Sequence, residues 1–186
     1  MPAPPHRRRL EIVPVGGVSV DVLEPVLAAL DERLGTESAV AAPLEPAPEW
    51  RAGRGRLRSA AVLDALLARS AEARDGAWRL AVAEESLRAP EVGRVFGEAA
   101  VGGGCAVMGL GALGRGKRSA GTRWAERALK VCMHEVAHAA GLDHCADPRC
   151  VMYPSRDMAD TDRKAADFCA RCAERFSHAT LDAWDT

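Results

Sequence analysis

Leu10 to Val15 is a short apolar run closed by Gly16 and Gly17, and it reads as a buried strand. The period then changes. Leu23, Val26, Leu27, Leu30 and Leu34 recur every three to four residues, which puts them on one face of a helix over 21–34, with Gly35 as its stop. Residues 41–56 are rich in Pro, Ala and Gly and read as loop. A second helix is expected over 59–73, capped by Ser59 and turning Leu63, Leu66 and Leu67 inward. Trp78 to Ala83 reads as a strand, and 84–104, with Pro90 and a glycine-rich end, as mostly loop. Cys105 to Leu110 reads as a third strand and Gly111 to Gly121 as a flexible basic connector. Thr122 to Ala140 carries the strongest helical signal, free of Pro and Gly until Gly141 stands where a C-terminal cap belongs. A short helix is expected over 160–176. The order β-α-α-β-β-α predicts an α/β sheet with helices packed on it.

At 186 residues the chain is long enough for one domain with a small appended subdomain. Residues 1–9 (MPAPPHRRR) are expected to be a disordered tail, and 10–186 a single domain. Only 4% of residues are aromatic, so Ala, Leu and Val must fill the core. A net charge of -1, with Arg7–Arg9 as the one dense basic run, argues against a nucleic-acid partner. No apolar run is long enough to span a membrane, and no apolar core and cleavage site follow the N-terminal arginines. The expected compartment is the reducing cytoplasm, where six cysteines are metal ligands or small buried hydrophobes rather than disulfides.

The chemistry gathers at the end of the long helix. There the chain reads His134, Glu135, Val136, Ala137, His138, Ala139, Ala140, Gly141, Leu142, Asp143, His144. Residues four apart on a helix share a face, so His134 and His138 can turn two imidazoles to one metal ion. Glu135 lies about 100° round the helix, beside the ion rather than on it. Gly141 lets the chain leave the helix sharply, and His144 returns toward the same point. Three neutral imidazoles leave one tetrahedral position for water, which marks a catalytic zinc site. A bare H-E-x-x-H is a weak signal, but the spacing through Gly141 and His144 is the metzincin pattern. Three of the chain's five histidines occupy it, which argues against incidental surface residues. His6 and His178 fall outside the pattern and are expected in solvent. The implied reaction is peptide-bond hydrolysis, with Glu135 as general base carrying a proton from the attacking water to the leaving amine. Imidazole ligands also suit iron and cobalt.

A second constellation follows. Cys145 and Cys150, then Cys169 and Cys172, have the spacing of paired ligands that wrap one structural Zn²⁺ through four thiolates, with two disulfides as the alternative. Cys105 and Cys132 fall within an expected strand and helix and read as buried hydrophobes.

The linked motifs resemble those of the archaemetzincins, a family of metzincin peptidases. The resemblance is carried by His134 through His144, then Cys145, Cys150, Met152 and Phe168-Cys169-Ala170-Arg171-Cys172, with Val95-Phe96-Gly97-Glu98-Ala99 upstream. It covers about 78–176 strongly and the N-terminal strand and helix weakly. It implies a metzincin-like mixed, twisted β-sheet above a cleft, an active-site helix over 122–140, and a small zinc-bound subdomain over about 145–176. It further implies one catalytic and one structural zinc, a peptide or protein substrate and aminopeptidase-like action. Met152 matches the methionine of the tight turn beneath the catalytic metal. Two departures stand out. Ala83-Glu84-Glu85-Ser86-Leu87 replaces an Asp-containing tract, and Tyr153 stands where a smaller polar residue is expected. Tyr153 reads either as an oxyanion donor or as a packed tyrosine. The rival to an enzyme is a non-catalytic zinc-stabilised binding module, which would have little use for Glu135.

Overall fold

The first apolar run becomes an inner strand. In the computed structural model, which describes residues 7–114 and 122–181, β1 (Arg8–Val15) is followed by α1 (Glu24–Leu34), β2 (Thr36–Val40), β3 (Arg56–Arg58) and α2 (Ser59–Ala73). Then come β4 (Trp78–Ala83), β5 (Ser86–Ala89), β6 (Gly93–Val95), β7 (Gly97–Ala100) and β8 (Cys105–Gly109). The described residues continue with α3 (Thr122–Ala139), α4 (Met158–Arg163) and α5 (Ala170–Leu181). The main sheet has five strands in the order β2-β1-β4-β8-β7, with only the β7–β8 pair antiparallel. A second sheet orders three strands as β3-β5-β6.

Parallel strands covered on both faces read as continuous apolar runs, and every residue of β4 and β8 is buried. Alternation still sorts their side chains. Leu10, Ile12, Leu80, Val82 and Met108 face α1 and α3, while Val13, Val15, Ala81, Ala83 and Val107 face α2. The sheet thus holds α3 along one face with its C-terminal half fully enclosed.

Several expectations need correction. β1 begins at Arg8, so Arg8 and Arg9 are strand rather than tail. The Arg8 guanidinium lies 5.0 Å from the Trp78 ring centroid, and Arg9 pairs with Glu11 and Asp75. The rest of that tail, including His6, lies outside the described residues, as do residues 115–121 of the expected connector. The helix over 21–34 opens with a 3-10 turn (Val20–Leu23) before α1. Ser59 does not cap α2. Arg58 holds the cap position, and the Ser59 hydroxyl donates to the Arg88 carbonyl at 3.3 Å. The stretch 84–104 contains three short strands, and two more, β2 and β3, lie before α2. The single helix over 160–176 is two, because residues between α4 and α5 run beside 149–151. Ala165 N–H donates to the Arg149 carbonyl at 2.8 Å and Val151 N–H to the Asp167 carbonyl at 2.9 Å. Among the described residues no helix is long and apolar enough to cross a membrane.

Candidate active site and metal centres

The end of α3 closes as the sequence requires. Gly141 takes φ 106°, a conformation costly for any residue with a Cβ. Its N–H donates to the His138 carbonyl at 2.8 Å, and that of Leu142 to the Ala137 carbonyl at 3.0 Å. These are the paired bonds of a Schellman closure, with buried Leu142 sealing it. The chain then turns back and brings His144 to His134 and His138, with ring centroids 5.3 and 4.8 Å away.

Two of the three imidazoles are fixed from behind. His134 Nδ1 lies 2.8 Å from the Val151 carbonyl and His138 Nδ1 2.6 Å from the Leu142 carbonyl. A carbonyl only accepts, so each Nδ1 carries the proton and each Nε2 presents a lone pair. Those two Nε2 atoms face each other at 3.1 Å, where neither has a proton to share. Two lone pairs converging in this way suit donors to one shared cation. The candidate ligand atoms of His134, His138 and His144 all lie within 4.8 Å of one another. Nitrogens at ~2.1 Å from a tetrahedral zinc stand roughly 3.4 Å apart, so the set fits such an ion. Burial lowers the pKa of all three histidines, with the Lys164 charge adding to it, and so favours the neutral, ligating form. His134 and His138 are only 8% and 9% exposed, while His144 lies open to solvent.

Glu135 is 6% exposed, and burial pushes its carboxyl up to about 8. Lys164 draws it back down and Glu98 adds to the rise. Beside it runs the backbone of β7. A Cβ at Gly97 would lie 2.5 Å from Glu135 Cγ and Cδ and 2.6 Å from Oε1, so only glycine lets this strand and this carboxylate coexist. Gly97→Ala is therefore expected to keep the metal content while lowering kcat roughly tenfold, because small misplacements of a reacting group are costly. Elemental analysis beside steady-state kinetics checks it, and an unchanged kcat would remove Gly97 from the site. Glu135, Gly97, Glu98 and the histidines line one cleft of about 590 Å³.

Lys164 has no motif around it and was not expected. It is 3% exposed, lines the same cleft, and burial lowers its pKa to about 8. Its ammonium donates to the Val151 carbonyl at 2.8 Å and the Tyr153 carbonyl at 3.0 Å. The Val151 carbonyl thus receives both Lys164 and His134, which ties the turn around Met152 to a candidate ligand. Met152 is fully buried there, within the same apolar cluster as α3. Tyr153 is half-buried, and Pro154, Ser155 and Arg156 form the cleft wall at that point. Glu84 and Glu85 also lie off the cleft wall, and Glu85 faces Arg51 at 3.9 Å.

The four cysteines converge as well. Their sulfurs lie within 4.8 Å of one another, with Cys145 Sγ and Cys169 Sγ 3.8 Å apart, and none forms a disulfide. Sulfurs at ~2.3 Å from a tetrahedral zinc stand about 3.8 Å apart. Backbone N–H groups of Asp147 and Cys169 donate to Cys145 Sγ at 3.4 Å and Cys150 Sγ at 3.3 Å. Burial pushes the Cys145 thiol up, but the Asp147 N–H, the Arg171 guanidinium and the neighbouring thiols outweigh it and leave the group at about 7. Cys150 and Cys172 are raised, chiefly by burial. Cys105 and Cys132 are fully buried elsewhere, and burial takes Cys132 to about 12, the value of an inert thiol.

The sequence profile of peptidase family M54 matches residues 62–178, a span that holds every residue of both clusters and Glu135. The archaemetzincin of Haloarcula marismortui is 32% identical over 170 residues, 88% of this chain and 96% of that protein. The chain belongs to the archaemetzincins. They are a family of zinc-dependent metallopeptidases, which act on peptide bonds. Other archaemetzincins align over shorter stretches. That of Pyrobaculum aerophilum is 48% identical over 60 residues, 32% of this chain and 39% of that protein. That of Methanopyrus kandleri is 38% identical over 95 residues, 51% of this chain and 53% of that protein. The crystal structure of the Methanopyrus kandleri archaemetzincin superposes with a TM-score of 0.78 at 28% identity, covering 97% of this chain and 99% of that one. The archaemetzincin from Archaeoglobus fulgidus gives a TM-score of 0.73 at 27% identity, over 90% of this chain and 99% of that one. The archaemetzincin fold therefore extends over β1, α1 and β2, which lie before the profile match.

Proposed function

We propose that the chain is a peptidase in which His134, His138 and His144 hold a catalytic zinc, Glu135 is the general base, and Cys145, Cys150, Cys169 and Cys172 hold a second, structural zinc. The observation that carries the reading is the pair of Nε2 lone pairs facing at 3.1 Å, each imidazole locked by its Nδ1–H on a backbone carbonyl. Bound at the three histidines, zinc supplies a Lewis acid and brings the pKa of water toward ~7.

The chain's own groups do the rest. Glu135 takes a proton from the attacking water and passes it to the leaving amine. Its burial raises its affinity for that proton, and the Lys164 charge offsets part of the rise. The bare Gly97 lets the base sit under β7. Among the described residues that strand pairs with β8 alone, so its outer edge can receive an extended peptide by backbone hydrogen bonds. No covalent intermediate is needed, and no serine or cysteine nucleophile takes part. An aminopeptidase-like cut, a single domain over 10–186 with a four-cysteine zinc subdomain at about 145–176, and a reducing cytoplasmic setting complete the reading. Peptide-library digestion read by mass spectrometry tests the activity and separates terminal from internal cuts.

Two ions per chain are the expected stoichiometry. The solvent-open histidine site should lose its ion to a chelator first and activity with it, while the enclosed cysteine site holds on. Elemental analysis during chelation checks this, and one ion per chain would remove the second site.

A further inference from the structure

The small β3-β5-β6 sheet has an inward and an outward face. Leu57 and Leu87 point inward and are fully buried, so the alternate positions look out. Those positions carry arginine almost throughout. The register sets Arg58 beside Arg88 and Arg88 beside Arg94, a row of like charges across all three strands. Such a row weakens a sheet, so its presence calls for a reason other than stability. Arg58 has a local role, donating to the Glu49 carbonyl at 2.6 Å. Arg56, Arg88 and Arg94, joined by Arg54, line an open pocket of about 530 Å³. All four are exposed, and among the described residues none of them forms an ion pair with a carboxylate.

Arg94 belongs to two walls. It lines this pocket and also the cleft that holds Glu135 and the three histidines. The two concavities therefore share the Arg94 side chain as a common wall. We propose that the arginine pocket is an extended substrate subsite that receives carboxylate groups of a peptide bound in the cleft. Guanidinium groups present a planar fork that matches a carboxylate, and they keep their charge at any working pH. The carboxylates come from Asp or Glu side chains, or from the free C-terminus of a short peptide. A nucleic acid fits less well, because the arginines gather at one pocket beside the cleft rather than along a stripe, and the chain as a whole carries a charge of -1. The proposal rests on the peptidase reading of the cleft.

The test uses the zinc-loaded full chain and matched peptides, a Glu-bearing one and its Gln counterpart, each with a free or an amidated C-terminus. The Glu peptide is expected to show a KM about fivefold to tenfold lower at low ionic strength, with the difference shrinking as salt is added. Amidation alone raising KM would assign the carboxylate to the C-terminus. Arg56→Glu combined with Arg88→Glu should abolish or invert the discrimination, with the Glu peptide's KM rising more than the Gln peptide's. Arg88→Glu alone should raise Tm, since it relieves the repulsive row. Equal KM values for all four peptides in the wild type, or discrimination that survives charge reversal, would overturn the proposal. A second measurement separates its failure from that of the peptidase reading. Fluorescence anisotropy of the labelled peptides on the Glu135→Gln variant reads binding whether or not cleavage occurs. Absent hydrolysis with selective binding counts against the peptidase reading alone, and unselective binding counts against the pocket. Displacement of the Glu peptide by a lower concentration of single-stranded oligonucleotide would also overturn it.

Discussion

Glu135→Gln should cost this archaemetzincin about 10²- to 10⁴-fold in kcat and leave its metal content and fold intact, the range typical of a positioned general base. The amide keeps the shape of the side chain, so it fits the space that Gly97 leaves and changes no cavity. It cannot accept the proton of the attacking water, and it makes no demand on the histidines, whose Nδ1 partners are backbone carbonyls. The loss should therefore fall on kcat while KM changes little, because a group that acts mainly in the transition state contributes little to ground-state binding. Steady-state kinetics beside elemental analysis separates this from a ligand's behaviour. A variant with its zinc intact and near-native turnover would remove Glu135 from the mechanism.

The parts of this site that share one helix are legible in the sequence. His134, Glu135 and His138 are placed by helix geometry alone, and Gly141 marks the exit that His144 needs. The strands from Trp78 and Cys105 are equally plain, since inner parallel strands are unbroken apolar runs. What the sequence hides is whatever depends on a distant partner. Gly97 falls in the tract that carries the resemblance but in a stretch that reads as loop, and nothing local shows that the space of its missing Cβ is filled by Glu135. Lys164 belongs to no motif, and becomes the buried donor behind His134 only because the segment after α4 folds back along Val151. β3, β5, β6 and β7 span three or four residues each, too few for alternation to show. For the same reason the arginine row leaves no basic run, since its members come from three separate strands.

Cys172→Ser is expected to weaken metal binding at the three-histidine site by about 10- to 100-fold, although Cys172 lies on α5 among the four thiols. The cysteine cluster and the histidine cluster share two stretches of backbone. In the first, His144 and Cys145 are neighbours, and the Cys145 N–H donates to the Met152 carbonyl at 2.9 Å. In the second, Cys150 precedes Val151, whose carbonyl takes the His134 Nδ1 proton at 2.8 Å. A zinc gripped by the four sulfurs would hold both stretches still. Without it, ordering each freed residue costs ~1–2 kcal/mol, which has to come from the binding of the catalytic ion. Loss of an outer support to a metal ligand typically costs 10–100-fold in affinity or activity. Lys164 gives the second stretch an independent tie through the same carbonyl, which argues for partial rather than total loss. Competition titration of zinc against wild type and variant, with circular dichroism to show that the sheet and α3 survive, reads the effect. Unchanged affinity at the histidines in a folded chain that has lost its second zinc would show that the two sites are independent.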